Sequence, residues 1–200
     1  MFYNFAAALV RLFFRIMFNI EIEGLENVPK SGAYVIAPNH LSNFDPPVLG
    51  SFLPVRMAYM AKDTLFKIPL FGKLITLLGA FPVRKGGNDL SAIKMAIKVL
   101  KSGKQLVIFP EGQRSRTPGV LSEGKQGAVM VAIKAGVGIL PVGINATYKF
   151  RSKVVVKVGK YIDLSEYHGR KVSGEEMQKI TDELIMPAIS NLSGAKLYGN

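Results

Sequence analysis

The chain has 200 residues, 48% hydrophobic and 20% charged, with a mean hydropathy of +0.23; that suffices for one domain with its own core and is too apolar for a disordered chain. Its 20 Gly and 11 Pro are scattered without period, which excludes collagen-like and low-complexity classes, and with no Cys there are no disulfides, thiolate zinc sites or cysteine nucleophile. The formal net charge is +12 and uneven, with 22 Lys and Arg against 8 Asp and Glu over residues 1–160, and 4 against 6 over residues 161–200.

A positive potential over most of the domain suits nucleic acid, anionic lipid headgroups or phosphorylated small molecules. The N-terminus favours lipid. Residues 2–20 read FYNFAAALVRLFFRIMFNI, within the roughly 17–25 residues of a membrane span. Arg11 and Arg15 fall in mid-segment, where each is costly in hydrocarbon. At about 100° per residue, Asn4, Ala8, Arg11, Arg15 and Asn19 share one narrow stripe. Phe2, Phe5, Phe13, Phe14 and Phe18 lie elsewhere on the helix. The pattern predicts a helix over residues 1–19 lying in the membrane surface, aromatics in acyl chains and arginines on lipid phosphates. No basic n-region precedes the apolar part and no A-x-A site follows it, so it does not read as a signal peptide.

Residues 20–200 alternate strands and helices. Apolar runs at 33–37, 57–60, 80–83, 105–109 and 139–144 predict buried strands, and 153–158 (KVVVKV) a further one. Helices are predicted over 89–101, with Asn88 or Asp89 as N-cap, over 124–135, and over 174–192 with an interruption at Pro187. This order predicts an α/β fold, a single domain with a largely parallel mixed sheet and helices on both faces.

In such sheets, functional groups gather in loops beyond the carboxyl ends of strands. After 33–37 the chain reads Pro38-Asn39-His40-Leu41-Ser42-Asn43-Phe44-Asp45-Pro46-Pro47. Asp45 reads as a helix N-cap followed by proline at N1. A tight turn can bring its carboxylate to one nitrogen of His40 and leave the other free as a general base. After 105–109 come Glu111-Gly112, then Arg114 and Arg116 on alternate positions, which can converge on one dianionic group. Lys62 follows the run at 57–60, and Arg84-Lys85 follows the run at 80–83.

NHLSNFD (39–45), YMAKDTLFKIPLFGKLI (59–75), GAFPVRK (79–85), FPEGQRSR (109–116) and ILPVGI (139–144) occur in this order. In these motifs and their spacing the chain resembles the glycerophospholipid acyltransferase family, most closely its 1-acylglycerol-3-phosphate acyltransferase branch, over roughly residues 20–160. The resemblance implies His40 as general base and Asp45 as its partner. It implies Glu111 and Gly112 in the third motif, with Lys62, Arg84, Arg114 and Arg116 around an acceptor phosphate. One departure is that Gln113 stands where the family most often has threonine; Gln keeps a hydrogen-bonding side chain.

The implied reaction joins an acyl thioester, from acyl-CoA or acyl-carrier protein, to the sn-2 hydroxyl of lysophosphatidic acid, and makes phosphatidic acid without a covalent intermediate. Backbone N–H groups near Val83-Arg84-Lys85 are the expected oxyanion donors. No metal and no cofactor beyond the acyl co-substrate is expected. The expected location is peripheral, on an anionic membrane surface at the cytoplasmic face of the cell membrane. Glycerol 3-phosphate or another lyso-lipid is the alternative acceptor. A non-catalytic basic module binding nucleic acid or a membrane is the alternative class, but no RNA- or DNA-binding signature accompanies the charge.

Overall fold

The computed structural model describes residues 2–83 and 90–199, with side chains from Phe5 onward in the first helix. The strands are β1 (Asn19–Glu23), β2 (Val35–Pro38), β3 (Met57–Lys62), β4 (Ala80–Val83), β5 (Gln105–Val107), β6 (Ile139–Ala146) and β7 (Lys153–Val158). The helices are α1 (Phe2–Met17), α2 (Asp45–Phe52), α3 (Phe71–Leu77), α4 (Leu90–Lys101), α5 (Gly127–Ala135), α6 (Gly174–Ile180) and α7 (Met186–Ser193). The strands form one sheet in the order β1-β7-β6-β2-β5-β3-β4. Every neighbouring pair is parallel except β6 and β7.

Successive side chains of a strand point to opposite faces, and the core divides accordingly. Val35 and Ala37 of β2 pack with Ala96, Leu100, Ile133 and Ile189 under α4, α5 and α7. Tyr34 and Ile36 pack on the other face with Phe14 of α1, Phe18 just after it, and Val48 and Leu49 of α2. Crossovers between parallel strands are right-handed. Those from β2 to β3 and from β3 to β4 both advance toward the β4 edge, so α2 and α3 share a face. Those from β4 to β5 and from β5 to β6 run back and place α4 and α5 opposite.

Six strands stand where the apolar runs predict them, and β1 is the addition. Its Asn-Ile-Glu-Ile-Glu alternates between exposed and half-buried, the period of a strand rather than a helix. It was hidden because the preceding apolar segment runs straight into it, so the expected boundary between residues 19 and 20 falls inside the strand. Lys153 and Lys157 of β7 pair with Glu21 and Glu23 along this edge. The interruption at Pro187 takes the form of a π turn over Thr181–Ile185 between α6 and α7. Proline has no N–H for the helical bond it replaces, and the extra residue accommodates this. The expected cap at Asn88 or Asp89 lies outside the described residues.

The N-terminal helix forms, but not with the expected outward face. Phe14 and Phe18 are 2% exposed and stack at 5.9 Å inside the core. The Arg11 side chain turns onto α2, where Nε donates to the Ser51 carbonyl at 2.7 Å. The Arg11 and Arg15 guanidinium groups lie over the Phe52 ring at 5.8 and 6.0 Å. The arginine stripe stays exposed and flanks the docked face of Ala6, Val10 and Phe14; the carbonyl and ring on α2 give its guanidinium groups partners within the protein. The outward face consists of Phe5, Leu9, Leu12, Phe13 and Ile16. They fall within an arc of about 100°, the width of an amphipathic stripe. Phe2 is outside the described side chains.

Candidate active site

Strands β2, β5, β3 and β4 are neighbours, so the loops leaving their carboxyl ends lie along one edge. His40 follows β2, Glu111 to Arg116 follow β5, and Lys62 ends β3. Arg84 follows β4 and lies outside the described residues.

α2 begins at Asp45 itself, with Phe44 in the capping position. The Asp45 side chain does not cap α2 as expected; it turns back over the preceding loop. Oδ2 accepts from the Leu41 and Ser42 N–H groups at 2.6 and 2.7 Å and from His40 Nδ1 at 2.8 Å. Oδ1 accepts from the Tyr148 hydroxyl at 2.7 Å. The carboxylate is fully buried. Four donors and the N-terminal end of α2 compensate its charge there. A ring nitrogen that donates to a carboxylate fixes the tautomer, so Nε2 of His40 is the basic nitrogen. The ring stacks on Phe109 with centroids 4.0 Å apart, and the side chain stays 18% exposed.

The His40 backbone is held by the third motif. Its N–H donates to Glu111 Oε1 at 2.7 Å, and its carbonyl accepts from the Ser115 N–H at 2.8 Å. Glu111 Oε2 accepts from the Ser122 N–H at 2.7 Å. This corrects the assignment of Glu111 to substrate binding: the carboxylate is 1% exposed and both oxygens are occupied by backbone donors. Burial raises its pKa above the ordinary value, opposed by the Ser122 and His40 N–H groups. Gly112 closes the turn through its N–H on the Phe109 carbonyl and sits at φ +66°, a conformation that favours glycine. Arg114 and Arg116 are exposed, as is Lys62. Among the described residues neither arginine forms an ion pair with a carboxylate.

The family model described as Acyltransferase matches residues 19–145, from β1 to the end of β6. The chain belongs to the acyltransferase family. It is 32% identical over 139 residues to the 1-acyl-sn-glycerol-3-phosphate acyltransferase of Borreliella burgdorferi, covering 68% of this chain and 55% of that protein. It is 30% identical over 193 residues to the enzyme of that name from Streptococcus pneumoniae, covering 92% of this chain and 70% of the relative. The fold is similar to the crystal structure of the 1-acyl-sn-glycerophosphate (LPA) acyltransferase PlsC from Thermotoga maritima. That match has a TM-score of 0.72 and 28% identity, and covers 95% of this chain and 81% of the other.

Three residues of this acyltransferase-family site are not among the candidates the sequence singles out. Asn39 is buried and bonds both the N–H and the carbonyl of Ile144, tying the His40 loop to β6. Its place inside NHLSNFD was a signal that went unused. Phe109, the ring under His40, stands directly before Pro110-Glu111 in the same way. Tyr148 follows β6 with a φ of +53°, and nothing local in the sequence ties it to Asp45.

Proposed function

We propose that the protein transfers an acyl chain from acyl-CoA or acyl-carrier protein to the sn-2 hydroxyl of 1-acylglycerol 3-phosphate, making phosphatidic acid. The observation that carries this is the dyad: a buried Asp45 carboxylate with every oxygen engaged, holding His40 so that Nε2 is its basic nitrogen. In this reading the acceptor's own hydroxyl is the nucleophile and no covalent intermediate forms. Nε2 takes the hydroxyl proton as the oxygen attacks the thioester carbonyl. The tetrahedral intermediate then expels the thiolate, and the imidazolium returns the proton to it. Asp45 stabilises that imidazolium throughout. Backbone N–H groups around Val83 to Lys85 are the proposed oxyanion donors.

Arg114, Arg116, Lys62 and Arg84 are proposed to hold the acceptor phosphate. The Ser115 N–H on the His40 carbonyl sets the arginine loop directly beside the dyad. No helix among the described residues is long and apolar enough to cross a membrane. The proposed attachment is peripheral, on the cytoplasmic face, with the Phe5, Leu9, Leu12, Phe13 and Ile16 face of α1 in the lipid. The test is single-turnover formation of phosphatidate from lysophosphatidate with each donor, for wild type and His40→Ala. Turnover should vanish in the variant while it still folds, less stable by about 1–3 kcal/mol because the buried Asp45 carboxylate loses a donor. A His40→Ala protein with a near-wild-type rate overturns the reading.

A further inference from the structure

The segment between β3 and β4 is not needed to cover the core, yet it is among the most apolar surfaces of the protein. Its one acidic residue, Asp63, stands at its start against β3, and residues 64–79 carry no acid and two lysines, Lys67 and Lys73. Between and beyond them, Ile68, Leu70, Phe71, Leu74 and Leu77 are all exposed. Leu70, Phe71, Leu74 and Leu77 follow the spacing of one helical stripe, so these side chains form a face rather than a scatter.

The apex is at Leu70. It is 81% exposed and has φ 63° and ψ −48°. The Phe71 N–H bonds the Pro69 carbonyl across it at 2.7 Å. That is a γ-turn of the positive-φ kind, strained for a residue with a side chain. Glycine would sit there without strain, and polar residues would sit there without exposing hydrocarbon. The next turn is closed by Gly72, where a Cβ would meet the Phe66 backbone carbonyl at 2.4 Å. The chain thus spends glycine on closing the wedge and leucine on its tip. A strained leucine held in water has no reason within the fold.

We infer that the Lys67–Lys73 wedge and the outer stripe of α3 form a second membrane-docking surface, whose partner is an anionic lipid surface. The charge argues for lipid: apolar tip, two flanking cations and no acid. So does position, because right-handed crossovers place α3 on the same face of the sheet as α2, against which α1 packs. The wedge follows β3, whose end carries Lys62 at the edge where the acceptor phosphate is proposed to bind. Two contacts flanking that edge fix the orientation of the site toward the bilayer, which one helix alone leaves free to roll. This inference rests on the reading that the acceptor is taken from a membrane.

The test uses the full chain and vesicles of phosphatidylcholine alone or mixed equally with phosphatidylglycerol. Leu70→Gly removes the apolar tip and suits the turn, so its melting temperature should hold or rise. Its partition onto mixed vesicles should fall at least tenfold, as should catalysis on vesicle-borne lysophosphatidate. Its rate on a short-chain, water-soluble lysophosphatidate should stay at the wild-type value. The double variant Lys67→Gln/Lys73→Gln should lose binding to mixed vesicles and not to pure phosphatidylcholine. Wild-type partitioning of Leu70→Gly overturns the inference. So does an unchanged partition with a raised KM for acyl-carrier protein, or with loss of a dimer in sedimentation, which would assign the face to a donor protein or a second copy. Wild-type turnover of the soluble acceptor by His40→Ala would instead overturn the acyl-transfer reading and leave the vesicle result standing.

Discussion

The Tyr148 hydroxyl donates to Oδ1 of Asp45 while Oδ2 of the same carboxylate holds His40, at 2.7 and 2.8 Å. Tyr148 lies beyond β6, and its ring meets Phe18, between α1 and β1, edge-on at 5.4 Å and Phe44 at 5.6 Å. The dyad is therefore braced by the segment after β6 and, through Phe18, by the bend that joins α1 to β1. Burial beside the Asp45 carboxylate raises the phenol well above its ordinary range, so it remains a donor.

Tyr148→Phe keeps the ring contacts and removes only the hydroxyl. A hydrogen bond to a charged group is worth about 1.5–3 kcal/mol. Part of that should appear as a kcat lowered about tenfold, because each 1.4 kcal/mol of barrier is a factor of ten. KM for lysophosphatidate should be nearly unchanged, since Tyr148 bonds the dyad and not the acceptor. A raised KM at constant kcat would show that Tyr148 shapes the acceptor site instead.

Asp45→Asn should lose activity and stability together. An amide placed at Oδ2 turns N–H groups toward the Leu41 and Ser42 donors; placed the other way, it faces the Tyr148 hydroxyl. Either orientation leaves a buried donor unpaired, at a cost of about 1–3 kcal/mol. The loss belongs to the loop before α2 rather than to a helix cap. Denaturant unfolding and kcat, measured on the same preparation, check both halves.

Much of the site was legible because its chemistry is local. His40 and Asp45 are five residues apart, and the cations follow strands whose apolar runs announce them. The braces were not legible, because they depend on where distant segments meet: Asn39 on Ile144, Tyr148 on Asp45, Glu111 on the His40 N–H. The hydrophobic pattern likewise identified α1 as amphipathic but not which stripe faces the domain. A guanidinium reaching a backbone carbonyl and an aromatic ring on α2 can face the protein, and periodicity carries no record of that partner. The strand β1 was lost for a related reason, since a period of two over five residues is short beside the apolar run that precedes it.

Glu111→Gln should separate a structural carboxylate from a binding one. Both Glu111 oxygens accept backbone N–H groups, and an amide can satisfy only one of them. The variant should unfold about 1–3 kcal/mol more easily and position His40 poorly. The pH dependence has a definite sign. A carboxyl whose folded pKa is raised adds stability below its unfolded value, and that contribution is lost as pH rises through the folded one. The amide of the variant does not titrate, so the stability gap between wild type and variant should narrow as the pH is raised from about 4. Unfolding free energies from about pH 4 to pH 8 measure it.

α1 has two kinds of phenylalanine, and they should respond differently. Phe14→Ala empties a core position and should cost about 3–5 kcal/mol. Phe13→Ser, on the outward face, should leave the melting temperature almost unchanged and weaken vesicle binding. Arg11→Glu should loosen α1 from α2, since it removes the bond to the Ser51 carbonyl. Differential scanning calorimetry and vesicle sedimentation together distinguish the three. Equal vesicle binding by Phe13→Ser and wild type would remove the outward face from the membrane contact.

The acceptor assignment turns on Arg114. Its guanidinium is exposed, and its loop is anchored one residue later, where the Ser115 N–H meets the His40 carbonyl. An anion held by Arg114 and Arg116 therefore sits at a fixed offset from Nε2. A phosphate monoester carries about −1.5 to −2 charges at neutral pH and presents oxygens in the geometry a guanidinium fork matches. Monoacylglycerol keeps the attacking hydroxyl and lacks this handle, so it should be a very poor acceptor. Energy from binding the remote phosphate also holds the hydroxyl near His40, so losing it should lower kcat as well as raise KM. Arg114→Ala should reproduce the loss with lysophosphatidate and change monoacylglycerol turnover little. Arg114→Lys should recover only part, because an ammonium cannot make the forked contact. The measurement is kcat/KM for both acceptors in all three proteins. Equal use of the two acceptors by wild type, or equal harm to both in Arg114→Ala, would show that these arginines bind something other than the acceptor phosphate.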